Sequence, residues 1–222
     1  MRITKNGICN ISKPYSHYTT PNIHLTDNGA DADMNDYMQH IMTHIADYRF
    51  ESAEEAMFYF TIYALSGWLL EIGYHWVITG QLGKDGFMKG PFKPMYGIAP
   101  VMLLGFVRSE LHWSVMLLLC LIVPTIIEYV SGDLLQRLFH RRWWDYSRHR
   151  IQLHGHICLS FSLCWLVLTA CVLIGIQPAL HATYLLIAHV WSWTWPAVAV
   201  YFCADLAWTV RSRRRFSQRM LS

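Results

Sequence analysis

Apolar residues along this chain gather into long runs and do not alternate with polar ones. Four such runs are Met57 to Thr79, Met95 to Val107, Leu111 to Ser131 and His156 to Ile176, and a fifth lies within Thr183 to Val210. A run of about 20 apolar residues crosses a ~30 Å hydrocarbon layer as a helix, and a helix satisfies its own backbone hydrogen bonds where no water is available. The strands of a membrane barrel would instead alternate over about 10 residues, and no such alternation is present. The pattern predicts an all-α fold, a polytopic transmembrane helical bundle of about five spans over residues 56–210. A polar, acidic extension (1–55) precedes it and a basic tail (211–222) follows.

The second run has only 13 residues and is broken by Gly97, Pro100 and Gly105. That is short for a crossing, so the alternative is four spans plus a re-entrant segment. Before it, GQLGKDGFMKGPFKPMYG must be a loop. Pro124 predicts a kink in the third run, whose helix continues through Asp133–Phe139, and Gln177-Pro178 closes the fourth. Trp191, Trp193, Trp195 and Trp208 read as interfacial belts around the fifth, with Ala179 to His189 on the membrane surface. In the extension, Tyr37, Ile41, Ile45 and Tyr48 predict an amphipathic helix over Asn35–Ala56. The first 25 residues are expected to be poorly ordered, and no cleavable signal peptide is expected.

Composition agrees with this picture. Hydrophobic residues make up 54% and charged residues 15%, where a soluble domain carries roughly a quarter charged. The net charge of +3 matters less than its placement. Lys84, Lys89 and Lys93 follow the first run; Arg137, Arg141, Arg142, Arg148 and Arg150 follow the third; Arg211, Arg213, Arg214, Arg215 and Arg219 form the tail. Arg108 alone follows the second. With five spans, all three basic segments fall on one side, the cytoplasm, and the acidic segment from Asp27 to Glu55 falls outside. The expected location is a cell membrane, bacterial and cytoplasmic, with the C-terminus inside. Membrane lipids are the expected partners, and no soluble domain is visible to present the basic clusters to nucleic acid. The six cysteines show no CxxC spacing and read as small buried hydrophobes.

Three acids lie in or at the edge of apolar runs: Glu71, Glu128 and Asp205. An ionised side chain at mid-membrane costs at least ~2.5–3.5 kcal/mol on insertion scales, so such groups face a partner or a wet cavity. They serve an ion or ligand path, or they hold helices together. Glu71 and His75 have an i, i+4 spacing that can hold a metal, but no other His or Cys stands at a supporting spacing, so no metal and no cofactor are assigned. The segment Arg141-Arg142-Trp143-Trp144-Asp145-Tyr146-Ser147 is either an interfacial anchor, with indoles at headgroup depth and arginines toward phosphates, or a site. GxxxxGK[ST] is absent, so an ATP-driven role needs a separate ATPase subunit. A Glu-bearing helix, a basic loop and a glycine entering the next run occur twice, around Gly90 and around Gly155, a weak echo of parallel-repeat transporters.

These residues also form a recognisable set. Gly67-Trp68 with Glu71, Gly86-Phe87, Gly90-Pro91, Pro94, Tyr96-Gly97, Glu128-Tyr129, Phe139, Trp143-Trp144-Asp145-Tyr146-Ser147, Gly155 and Ile157-Cys158-Leu159 resemble the family called putative ABC-transporter type IV, or CmpB-like. The resemblance covers Gly67 to Trp165 and leaves the N-terminal 55 residues and the fifth run outside. Asp85, Gln136, Gln152 and His156 depart from the family's pattern. The resemblance implies a small multi-pass membrane protein. Three readings follow. The first is a permease-like component of a transport system, its substrate path marked by Glu71, Glu128, Asp145, Tyr129 and Tyr146. The second is a non-transporting scaffold or sensor in which acids and arginines are internal pairs. The third is a lipid-modifying enzyme with Asp145 or Glu71 as acid or base. In each, Gly90, Pro91, Pro94, Gly97, Trp143, Trp144 and Gly155 form the structural motif, and no residue is assigned as catalytic.

Overall fold

The computed structural model describes residues 30–81 and 86–221, with side chains described over 33–81 and 86–215. The expectations for the first 25 residues, and Lys84 and Asp85, lie outside the described residues. The chain divides into two units, Met1–Asp36 and Tyr37–Ser222. The described part of the first is the opening of helix α1; the second holds the bundle.

The predicted helix over Asn35–Ala56 is in fact two. Helix α1 spans Ala30–Asp47 and α2 spans Ala53–Thr79. The break has a local cause. Ser52 takes an extended backbone and its hydroxyl accepts from the Glu55 N–H, while the Glu55 carboxylate reaches back to the Glu51 N–H at 3.0 Å. This is a variant of the reciprocal Ser-x-x-Glu cap, which starts a new helix. On α1, Met42 and Ile45 carry the packing and Tyr37 stays exposed. At its other end α2 stops at Gly80, whose left-handed φ of +69° lets its N–H reach the Trp76 carbonyl.

Helix α3 (Pro94–Phe106) has 13 residues, a rise of about 20 Å. It packs tightly against α2. A Cβ at Gly67 would lie 2.2 Å from the Tyr96 ring, and one at Gly97 would lie 2.6 Å from the ring of Phe60. These small residues let the two helices approach at the cost of no side chain. Helix α4 (Trp113–Phe139) is capped by the His112 side chain at its start and by His140, at φ +52°, at its end. It is one unbroken helix through Pro124 and Asp133–Phe139.

A small hairpin follows, β1 (Gln152–Leu153) against β2 (Ile157–Cys158). His154 and Gly155 both have positive φ, and the His156 N–H closes the turn on the Leu153 carbonyl, the primed turn that suits a hairpin. Helix α5 (Leu159–Cys171) then leads through a π-turn, Val172–Ile176, into α6 (Gln177–Leu221). The expected stop at Gln177-Pro178 is therefore not a break in the helix. Pro178 has no N–H to give and its ring crowds the carbonyl four residues back; the wider π-turn just upstream is the form such an adjustment takes.

Among the described residues, three helical stretches are long and apolar enough to cross a membrane: Ala53–Thr79, Trp113–Phe139 and Leu159–Arg215. The third, at 57 residues, has a helical length of about 85 Å, more than one ~30 Å crossing needs. Contacts define two ends of the bundle. At one, Gln39 on α1 donates to the carbonyls of Ser109 and Leu111, and Gln177 donates to the Tyr48 carbonyl. At the other, Phe87 packs on Phe139 and Trp143, and Arg213 donates to the Gly86 carbonyl. The loop after α2, the WWDYS segment and the last turns of α6 thus meet. Between the two ends lies the main core, with Tyr59, Leu103, Leu104 and Leu173 almost fully buried.

Candidate functional site

At the basic end the helices do not close on one another. A cavity of about 360 Å³ lies among Phe60 of α2, Ile98 of α3, Leu134 and Leu135 of α4, and Phe202 and Leu206 of α6. The segment Gly86–Met88 and the indoles of Trp143 and Trp144 complete it. Its walls are overwhelmingly apolar, with one charged feature. Lys93 Nζ and Glu71 Oε2 stand 2.8 Å apart in the wall, their side chains 16% and 21% exposed. Two half-withdrawn charges gain little net from each other, but removing one leaves the other's charge uncompensated by its ion pair.

The Gly90-Pro91 segment carries the chain from the loop to this wall. The Gly90 N–H donates to Asp205 Oδ2 at 3.0 Å, and a Cβ at Gly90 would stand 2.6 Å from that oxygen. A side chain at this position would have to push the Asp205 carboxylate aside. Asp205 is therefore a receptor for the loop. Beside it Lys89 sits over the Trp208 ring at 5.6 Å. Pro94 opens α3 and also lines the cavity.

Glu128 is elsewhere. It is 3% exposed and its two carboxylate oxygens accept from Tyr146 Oη and Trp165 Nε1, each at 3.0 Å. It ties the WWDYS segment and α5 to α4. Burial, and then the nearby Glu128 carboxylate, push the Tyr146 hydroxyl well above its usual range, which keeps it a donor. Its ring stacks on Phe161 at 4.7 Å. Trp165 leans on Tyr96 at 5.0 Å, so the brace also touches α3.

Asp145 closes the WWDYS segment on itself. Its Oδ1 accepts from the Ser147 N–H at 3.0 Å and from Arg142 at 3.2 Å. The Ser147 backbone bond, more than the arginine, holds its carboxyl below the usual range. Arg142 also donates to Gln136, and Gln152 accepts from the Gly155 N–H, so two of the positions that the sequence sets apart keep hydrogen bonds, the first of them charge-assisted. A third, His156, is pushed below the usual imidazole range, by burial first and by Arg142 second. Trp144 donates to its carbonyl. Gly155, at φ +75°, sits where a Cβ would be 2.7 Å from Asp145.

The five residues marked by sequence as a substrate path therefore occupy separate places. Glu71 lines the cavity. Glu128 and Tyr146 bond to each other. Asp145 faces Arg142, and Tyr129 turns to His154 at 2.9 Å. Of the structural motif, Pro94, Trp143 and Trp144 are cavity wall. Sequence reasoning missed a second polar cluster, at the far end. Tyr59 Oη meets Glu55 at 2.7 Å and His181 at 2.9 Å, and Tyr63 donates to Gln177. The sequence places Glu55 in the acidic segment from Asp27 to Glu55; its place in Ser52-x-x-Glu55 is the signal that marks it out. Among the described residues no three His, Cys, Asp or Glu gather as a metal site.

No curated protein and no solved structure matches the chain. A family model does, over residues 58–210. That range takes in the fifth apolar run, which the resemblance read from sequence had left outside. It covers more than half of the 222 residues, and the chain belongs to the family described as Putative ABC-transporter type IV.

Proposed function

We propose that this chain is the permease-like membrane component of a transport system, with the cavity at the basic end as its substrate chamber. The observation that carries this reading is a ligand-sized, apolar hollow inside a bundle with one ion pair, Lys93–Glu71, in its wall; binding sites typically combine apolar walls with a few placed polar groups. Glu71 is the polar group of the path. Glu128 and Tyr146 brace the wall from behind, and Asp145 and Tyr129 shape the segment that closes it. The chain crosses the membrane five times with the cavity end inside, the last two passes both lying within Leu159–Arg215, whose Gln177 meets Tyr48 at the far end and whose Arg213 meets Gly86 at the cavity end. This is supported by the meeting there of the loop after α2, the WWDYS segment and the arginine-rich end of α6, because short basic segments stay in the cytoplasm. The same cationic face would dock a separate ATPase, since the sequence has no phosphate-binding loop of its own.

The test is purification of the full chain in mild detergent. A P-loop ATPase is expected to co-purify, with hydrolysis that depends on this chain, and Glu71→Gln is expected to lower coupled transport at unchanged membrane level. Purification without an ATPase, together with a fully active Glu71→Gln, would sink the reading. The number of crossings is checked by reporters after Gly83, Glu110, Arg150 and Ser222: Gly83, Arg150 and Ser222 are expected inside and Glu110 outside, and Gly83 on the same side as Glu110 would reject five crossings.

A further inference from the structure

A second hollow lies outside the proposed chamber. A cleft of about 650 Å³ opens between the end of α4, which supplies Asp133, Gln136 and Arg137 with its cap His140, the neighbouring Arg142, and the hairpin residues His154 and His156. Every lining residue is polar or charged. Two features set it apart from a solvated face. The first is His156, which lines the cleft although it is only 4% exposed. Its backbone N–H and carbonyl are bonded, but among the described residues its imidazole has no hydrogen-bond partner. Gly132 of α4 makes room for the ring: a Cβ there would lie 2.9 Å from His156 Nδ1. The second feature is backbone. Among the described residues, the non-glycine residues with positive φ are His140 and His154, both at 52°, and both line the cleft. One caps α4 and the other turns the hairpin. Glycine or asparagine serves either backbone at lower cost, so the turns do not account for two imidazoles.

The uncommitted donors narrow the ligand. Arg137 spends Nε on Asp133, while Arg142 spends Nε on Gln136 and Nη1 on Asp145. Each guanidinium thus keeps at least one nitrogen uncommitted among the described residues. Their side chains are 76% and 38% exposed, so both are open to solvent. His154 meets Tyr129 through Nδ1 and keeps Nε2. Asp133 and Asp145 offset the two arginines, and further positive charge comes from the imidazoles. At His156 that charge is opposed by burial, Arg142 and His154 and favoured by Asp133 and Asp145; an anion in the cleft relieves the opposition. Guanidiniums and imidazoles from three segments exceed what two coplanar carboxylate oxygens accept. A phosphate offers three oxygens in tetrahedral array and matches the guanidinium fork. It takes up its second proton at about pH 6, close to the range of histidine.

We propose that this cleft binds a phosphate group, carried by a soluble phosphomonoester or by a lipid headgroup, with Arg137 and Arg142 as its anchors and His140, His154 and His156 around it. The site goes beyond the function proposed above and needs neither the chamber nor an ATPase, so either reading can fail without the other.

The experiment has two arms, both on the full chain. One is equilibrium binding of radiolabelled orthophosphate to the detergent-solubilised protein near neutral pH, with acetate as competitor. The other is native mass spectrometry of protein taken from phosphatidylcholine vesicles that contain phosphatidic acid. A soluble ligand predicts saturable orthophosphate binding that excess acetate does not displace; a lipid headgroup predicts phosphatidic acid retained well above its share of the vesicle. Either result supports the phosphate site. Arg142→Gln is expected to weaken binding about tenfold or more, the scale of one hydrogen bond to a charged group. Failure of both arms, orthophosphate displaced by acetate, or unchanged affinity in Arg142→Gln would each overturn the proposal. Arg142 also helps close the WWDYS segment. Should Arg142→Gln not fold, Arg137→Gln combined with His140→Asn decides, because Arg137 is mostly exposed and asparagine accepts the left-handed backbone of the cap; unchanged affinity in that variant overturns the site.

Discussion

Replacing Glu128 tests whether the buried acid is a brace. Its two oxygens take one donor each, Tyr146 Oη and Trp165 Nε1, both at 3.0 Å. Glu128→Leu removes both acceptors. The Trp165 N–H, on a side chain 8% exposed, then has no partner, at about 1–3 kcal/mol for a stranded buried donor. Tyr146 loses its partner as well, though its hydroxyl can rotate. The sum is about 3 kcal/mol. Glu128→Gln behaves differently. Its carbonyl can accept from Trp165 and its amide can donate to Tyr146, whose oxygen accepts as readily as it donates, so the loss is about 1 kcal/mol or less. For a chain of this size 1 kcal/mol moves the melting temperature by about 2–4 °C. Glu128→Leu is then expected to melt about 6–12 °C below wild type and Glu128→Gln within about 4 °C of it. The assay is thermal unfolding of the detergent-solubilised chain followed by size-exclusion chromatography. Tyr146→Phe and Trp165→Phe, alone and combined, complete the argument, because partners of one carboxylate are not additive. Equal melting of Glu128→Leu and wild type, or equal losses for Leu and Gln, would refute the brace.

Gly155→Ala puts a Cβ at φ +75°, 2.7 Å from Asp145 Oδ1; the left-handed backbone alone costs about 1–2 kcal/mol, so melting is expected to fall by several degrees. Lys93→Met removes the cation from the Glu71 carboxylate in a largely apolar wall, and the double variant Lys93→Met/Glu71→Leu is expected to be more stable than Lys93→Met alone; a double variant less stable than both singles would contradict the pairing. His156, with its pKa depressed by burial and Arg142, takes up its proton at lower pH in the fold than in the unfolded chain, which protonates below about pH 6.5. The unfolded state then binds more protons, so stability falls as pH drops below about 6.5. Asp145, held low by the Ser147 N–H, adds a second loss only below about pH 4, the range of an ordinary carboxyl. Melting from pH 8 to 5 is expected to decline less in His156→Asn than in wild type.

What the sequence disclosed follows from how strong each signal is. Apolar runs marked α2, α3 and α4 to within a few residues, because a helix that must bury or face oil cannot hide its composition. The break at Ser52 was written in Ser52-Ala53-Glu54-Glu55, yet a run of i, i+4 apolar positions across it outweighed a two-residue cap. The continuation through Pro178 was not legible, since proline more often ends a helix and only the π-turn at Val172–Ile176 reveals the adjustment. The His154-Gly155 turn was hidden because histidine is an unusual occupant of its first left-handed position. The partners of Glu71 and Glu128 were beyond reach for another reason. Lys93 and Trp165 are 22 and 37 residues away, and no local rule pairs residues across helices.

The acids near these apolar helices sort by what surrounds them. Glu128 is closed in by two side-chain donors, and Asp205 is taken up by a backbone N–H. Each has a partner that the fold itself places, which is how a costly intramembrane acid is made tolerable. Glu71 differs in that its lysine partner shares a wall with an open hollow. An ion pair beside a cavity can exchange partners with whatever enters; a carboxylate locked between an indole and a phenol cannot without unpacking a helix. Substitution at Glu71 should therefore change ligand handling more than stability, and substitution at Glu128 the reverse. The same logic separates the two ends of the bundle. Glu55, Tyr59 and His181 are joined in a cluster that binds α2 to α6, whereas Trp143, Thr209 and Arg213 keep polar atoms unmet. Under the proposed function the apolar hollow with its ion pair is the end that takes a ligand, and the opposite end holds the helices together.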